Sequence, residues 1–238
     1  MNLSIRVRPP KHNRMPYFLA GAAGAAVVLL WIVSGAGMTI RSISVSGNRS
    51  LSAKEIIRIV SVASRAKVSR AEAGRVRARL MRHPAFLKVS VSRRIGGTLS
   101  VMVSERVPAA WLVSYNCPVS QDGVLLPYIG VRDPELMMLD GFAVDHGCLR
   151  DLRALREAKD AWRMTSDIAD GAEGIWRRME SKPASWEWII GKKRITFSSP
   201  VGEDEAERLR TFKTEFPDAW RKAGGLDLRF RDRVVMKR

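Results

Sequence analysis

Twenty-two residues from Tyr17 to Met38, YFLAGAAGAAVVLLWIVSGAGM, carry no charge and lie between Arg14 and Arg41. As an α-helix rising ~1.5 Å per residue, the run reaches about 33 Å, against a bilayer hydrocarbon core of ~30 Å. It is long enough to cross a membrane once. Arg6, Arg8, Lys11 and Arg14 precede it with no acidic residue, which favours keeping residues 1–16 in the cytoplasm and sending the C-terminal part outward. Arg41 and Arg49 flank the other end, but charge in a long translocated domain counts for little. Ser34-Gly35-Ala36 has the small-residue character of a signal-peptide cleavage site. The apolar run is longer than the ~7 to 15 residues of a signal core, so the expectation is an uncleaved anchor at 17–38.

About two hundred residues follow the anchor, enough for one large or two small domains. The hydrophobic fraction of 46% argues against disorder. The net charge of +17 favours anionic company such as lipid head groups, acidic wall polymer or nucleic acid, unless it is simply a solvated surface. Cys117 and Cys148 both fall beyond the anchor, where they form either one disulfide or two unpaired thiols. No metal site is expected, because CxxC spacing is missing and His12, His83 and His146 are scattered. Asp167, Asp170 and Glu173 do not follow the calcium-loop spacing and read as a solvated loop. The chain has no GxxxxGK, HExxH or GxSxG motif, so no catalytic residue and no cofactor are expected.

Residues after the anchor alternate in the manner of a small α+β domain. Ile43 and Val45 define a half-buried strand within 40–46 that ends at the turn signal Gly47-Asn48. Ser52 and Glu55 make a capping box for a helix with Ile56, Ile59, Val60 and Ala63 on one face. Ser69 and Glu72 repeat the device before a helix carrying Ala73, Val76 and Leu80, and His83-Pro84 ends it. Val89 and Val91 suggest a strand, Gly96-Gly97 a hairpin turn, and Leu99, Val101 and Val103 its return.

This order, strand, helix, helix, strand, strand, is the POTRA topology, and its place just after a single N-terminal anchor resembles the bacterial cell-division family FtsQ, called DivIB in Gram-positive bacteria. Ile43 to Asn48 resembles the family's opening strand and turn. Leu80 to Pro84, followed by Val89, Val91 and Arg93-Arg94, resembles its helix-to-strand passage, and Glu105-Arg-Val-Pro-Ala109 the segment that leads out of the domain. The resemblance implies a cytoplasmic tail at 1–16, a transmembrane helix at 17–38, a POTRA domain at 39–108 and a β-rich domain at 109–238.

Within the second domain, Asp122-Gly123 reads as a turn into a strand over Val124 to Pro127, and Met137 to Gly141 as another short strand. Residues 149–164 read as a helix with Leu152, Leu155 and Trp162 inward. Residues 169–182 keep no clear pattern: Gly171 to Gly174 reads as a loop, with Trp176 and Met179 packing locally. Trp186 to Ile190 and Arg194 to Phe197 read as a hairpin joined by a polar turn, with the tryptophans as core anchors rather than a stacking platform. Glu203 to Phe216 reads as a helix with Ala206, Leu209, Phe212 and Phe216 on one face.

The closing stretch Leu226-Asp227-Leu228-Arg229-Phe230, continuing through Arg231 to Val234 and Val235, resembles the family's final strand. A strand at a sheet edge offers unpaired backbone groups to a partner strand. The resemblance implies that this partner is FtsB, with FtsL in the same complex, that Arg229 pairs a partner carboxylate and that Phe230 anchors in its apolar surface. It further implies a single-pass inner-membrane protein of the division septum that assembles other division proteins and is not an enzyme. The alternative from another class is an anchored extracytoplasmic protein that binds wall polymer or anionic lipid through its basic surface.

Overall fold

The computed structural model describes residues 24–27, 38–62, 67–94, 96–169, 173–181 and 183–237. The tail at 1–16 and most of the anchor at 17–38 lie outside them. Gly24 to Val27 forms one helical turn, and no helix of the described residues is long and apolar enough to cross a membrane. The chain divides into two compact units, one holding residues up to Leu80 with Val89–Val103, the other Met81–Lys88 with Ser104 onward.

The first unit contains β1 (Met38–Thr39), β2 (Ser42–Ser46), α1 (Ala53–Val60), β3 (Lys67–Val68) and α2 (Arg70–Met81). It also takes most of the hairpin of β4 (Phe86–Arg94) and β5 (Thr98–Glu105). The α1 capping box forms as the sequence predicts: Ser52 Oγ accepts from Glu55 N, and Glu55 Oε2 accepts from Ser52 N at 2.8 Å. At α2 only half of the device appears. Ser69 Oγ accepts from Glu72 N at 3.1 Å, while the Glu72 carboxylate turns to Arg75. Ile56, Val60, Ala73, Val76 and Leu80 are buried, as are Leu99, Val101 and Val103, in line with the periodicity read from the sequence; Ala63, placed on the same face, lies outside the described residues. The sheet runs β2-β5-β4, with β2 parallel to β5. Gly47 turns the chain out of β2 at φ +83°, and a Cβ there would overlap Val103 O, so the position needs glycine on two counts.

The second unit is built on an eight-stranded sheet. Its strands are β6 (Pro108–Leu112), β7 (Cys117–Ser120), β8 (Met138–Asp140), β11 (Gly174–Met179), β12 (Ser185–Ile190), β13 (Lys193–Ser198), β14 (Gly225–Asp227) and β15 (Val235–Lys237). The short pair β9 (Val144–Asp145) and β10 (Cys148–Leu149) stands apart from that sheet. Among the described residues, three α-helices complete the unit: α3 (Leu152–Thr165), α4 (Glu203–Glu215) and α5 (Pro217–Lys222). The spatial order is β15-β14-β13-β12-β11-β8-β6-β7. The hairpin of β12 and β13 forms as expected, turning at Gly191 with φ +58°. Trp176, Trp186 and Trp188 are fully buried; the rings of Trp176 and Trp188 stack 5.3 Å apart, and Trp186 meets Trp176 edge-on at 6.4 Å. They are core, together with Ala154, Leu155, Ala158 and Leu209 of the helices.

Four expectations need correction. Residues 174–179 are a strand in the middle of the sheet, between β8 and β12, and Trp176 is a central core residue. Val124 to Pro127 makes only the isolated bridges Val119↔Leu125 and Val124↔Cys148, because Leu126 N and Leu125 N bond to the carbonyls of Pro118 and Gly147 in different segments. Leu152 opens α3 half-exposed, whereas Leu155 is buried. Residues 226–235 are not one strand: β14 stops at Asp227, the chain turns, and β15 returns antiparallel with Leu226 opposite Met236.

Of the acidic loop residues, Asp167 is held by Arg210 at 2.8 Å, Glu173 pairs with Arg132, and Asp170 lies outside the described residues. No grouping of the described residues could hold a metal ion. The cysteines are unpaired, Cys117 buried and Cys148 exposed.

Candidate partner-binding edge

The C-terminal end of the sheet is assembled by a side-chain clasp. Asp227 closes β14 and is buried at 3% exposure. Arg229 folds back onto it, with Nε donating to Oδ1 at 2.9 Å, Nη2 to Oδ2 at 2.7 Å and its backbone N to Oδ1 at 3.2 Å. Lys237 of β15 adds its ammonium 3.6 Å from Oδ2. The Arg229 guanidinium, helped by that backbone bond, holds the Asp227 carboxyl below the usual carboxylate range in spite of burial. Leu226 and Leu228 are core residues, and Leu228 N donates to Thr196 O of β13 at 2.9 Å.

A second arginine shapes the turn from outside. Arg208 on α4 donates through Nη2 to Leu228 O at 3.0 Å and through Nη1 to Phe230 O, so the helix fixes the path of 228–230. Phe230 is 45% exposed, with the Arg233 guanidinium 5.8 Å from its ring centre. Arg231 is exposed, and Val234 and Val235 are half-buried. Between α4 and the turn lies a groove of about 570 Å³, with Arg208, Thr211, Phe212, Phe216, Arg233 and Val234 among its walls. Phe212 and Phe216 face each other at 5.8 Å, and Phe216 is 54% exposed. The sequence placed Phe216 inward with Leu209; it falls instead at the end of α4, where Phe216 N still bonds to Phe212 O but the ring clears the core.

The eight residues singled out from the sequence therefore divide. Leu226 and Asp227 in β14 and Leu228 just after it are buried; Arg229 is the clasp; Phe230, Arg231 and Val234 lie on the turn; of the eight, only Val235 belongs to β15 at the sheet edge. Met236, 43% exposed, and Lys237 complete that strand, and Arg208, Phe212 and Phe216 join them from α4. The aromatic pair one helical turn apart near the end of an amphipathic helix was the available signal for the groove. What it lacked was any mark that the second ring was left outside.

A separate anchor of the second unit is Arg106. Its guanidinium donates to Asp122 at 2.8 Å and to the carbonyls of Pro84 at 2.8 Å and Phe86 at 2.6 Å, while its backbone N bonds to Ala85 O. Burial pushes the Asp122 carboxyl up, but hydrogen bonds from Ser120 and Arg106 outweigh it and leave the group below its ordinary value. His83 beside this cluster accepts from Ala85 N through Nδ1, and burial lowers its pKa. His146 has φ +48° and precedes Gly147 at +76°, a turn.

The strand and helix order of the first unit defines an α+β POTRA-type module. A family model described as "POTRA domain, FtsQ-type" matches residues 38–106. The chain carries an FtsQ-type POTRA domain, and its likeness to the FtsQ/DivIB family is supported there. A domain of this type points to a cell-division protein. No curated protein matches the chain.

Proposed function

We propose that the chain is a membrane-anchored assembly protein of the division machinery, in which a POTRA domain over 39–108 and a β-domain over 109–238 stand outside the inner membrane on the helix 17–38. It acts as a scaffold and performs no chemistry of its own. Through β15 it pairs with a strand of an FtsB-type coiled-coil partner, with an FtsL-type protein in the same complex, and so helps position septal wall synthesis. The observation that carries this reading is the outer side of β15, which has no strand partner among the described residues, next to an exposed groove walled by Phe212, Phe216 and Val234. Strand addition supplies backbone hydrogen bonds, and the groove supplies a pocket for an apolar side chain of the added segment. The FtsQ-type POTRA match supports the division context.

Co-purification of the full-length chain with FtsB and FtsL tests the reading. The parent protein retains both, and Met236→Pro, which removes a backbone donor from β15 and stiffens it, loses them. Retention of both partners by Met236→Pro overturns the assignment of this edge.

A further inference from the structure

We propose that a collar of basic side chains, gathered where the chain leaves the apolar run, binds the phosphodiester head groups of anionic membrane lipid. It rests on the proposed membrane anchor at 17–38 and is independent of the β15 edge. The collar is Arg41, Lys67, Arg70, Arg93 and Arg94, brought together from four segments of the first unit. β1 begins at Met38, the last residue of the apolar run, and pairs antiparallel with β3, with Met38 opposite Val68 and Thr39 opposite Lys67. That pairing sets the backbone of Lys67 about 5 Å from that of Thr39. Three residues later α2 opens at Arg70. Arg93 Nη1 donates to Val68 O at 3.3 Å, and Arg93 lines one cavity together with Arg70. The turn between β4 and β5 arrives at the same place: Gly97 O accepts from Arg41 N at 2.7 Å, and Gly97 N donates to Arg94 O at 3.3 Å. A Cβ at Gly97 would stand 2.7 Å from Thr39 O, so the hairpin turn lies directly against β1.

Charge and position select the ligand. From Met38 onward the first unit carries twelve lysines and arginines and two acidic residues, Glu55 and Glu72. Glu55 serves the α1 cap and Glu72 pairs with Arg75, so neither neutralises the collar. Arg41, Lys67, Arg70 and Arg94 are exposed. Arg70 is the first residue of α2, where the helix dipole disfavours a cation and favours an anion. The apolar run, about 33 Å as a helix, ends near the edge of a ~30 Å hydrocarbon core, so Met38 falls at the boundary with the head-group layer of roughly 5–7 Å. Long side chains rooted beside Thr39 and Val68 reach phosphates in that layer, whereas a soluble polyanion must enter between bilayer and domain. Lipid phosphates held by the collar fix the first unit against the membrane surface.

The test titrates the full-length chain, in a neutral detergent, with phosphatidylglycerol and with phosphatidylcholine, and counts bound lipid by native mass spectrometry. The parent prefers phosphatidylglycerol, more weakly as salt rises. Lys67→Gln with Arg70→Gln weakens that binding by about tenfold or more, and Arg41→Gln with Arg94→Gln repeats the loss from the hairpin side. Lys54→Gln with Arg58→Gln removes the same charge from α1 and leaves binding within about twofold of the parent. Equal losses in the collar and α1 variants overturn the collar, because charge alone then accounts for binding. So does displacement of the lipid by excess glycerol phosphate, which assigns these residues to a soluble phosphate. A parent that resists alkaline carbonate extraction from bilayers yet shows no lipid preference overturns the collar alone. Release of the parent by carbonate overturns the anchor, and the collar with it.

Discussion

Arg229 closes a two-pronged hydrogen-bonded pair on Asp227, two residues back along the same chain, with both N–O distances at or below 2.9 Å. The pair sits where β14 ends and sets the turn that sends the chain back as β15. A sequence reading that gives Arg229 to a partner's carboxylate must now contend with a carboxylate already in place.

The clasp has a pH signature. Asp227's folded pKa lies below its ordinary value, so the stability it contributes is complete above the ordinary carboxylate range and is lost as pH falls through the lowered, folded value. Arg229→Gln removes the main cause of the lowering and leaves Lys237 nearby. It should cost about 1–2 kcal/mol near neutrality, less than a fully buried pair because the arginine is partly solvated. Denaturant titrations across the acid range should show the gap between parent and variant narrowing as pH drops; a gap that widens contradicts the assignment.

Arg229→Glu and Phe230→Ala report different things. The glutamate would face Asp227 and open the turn, so loss of a partner after that change reflects the clasp as well as any contact. Phe230 is 45% exposed, and its truncation leaves the core untouched. Phe230→Ala should weaken FtsB co-purification with unfolding unchanged, and a partner retained at parental levels removes Phe230 from the interface.

Trp188 and Leu152 should separate sharply. Trp188 is 1% exposed and stacked on Trp176, so Trp188→Ala opens a cavity costing about 3–5 kcal/mol. Leu152 is 36% exposed, and Leu152→Ala should cost below about 1 kcal/mol. Equilibrium unfolding of the two variants under one condition checks the order.

Gly47→Ala tests the first unit. With φ at +83° and Val103 O in the path of a Cβ, the substitution should destabilise by more than about 1 kcal/mol, read as a lower unfolding midpoint. A gain in stability would mean the turn out of β2 is misplaced.

The first unit was legible because its signals are local. Capping boxes, a two-residue alternation and glycine turns each name their element without help from distant residues. The strand β11 was not legible, since Gly174-Ile-Trp-Arg-Arg-Met puts two arginines in a row where alternation is sought. Their environment explains the choice: Arg177 meets Asp140 of β8 at 3.0 Å and Glu187 of β12 at 3.7 Å, and Arg178 meets Asp151 at the start of α3. Those partners are remote in sequence, so a central strand with charged members showed no clear pattern, only local packing of Trp176 and Met179. At the C-terminus the aromatic and arginine of the DLRF stretch suggested one continuous strand, while the fold at Asp227 depends on Arg208, some twenty residues upstream on α4.

Backbone amide exchange at β15 tests the central claim most directly. With full-length protein alone and in complex with FtsB, the peptide covering Val235 to Lys237 should become protected on binding, and the turn at Phe230 to Val234 should follow. Protection confined to other segments, with exchange at Val235 to Lys237 unchanged in a saturated complex, would contradict strand addition at this edge.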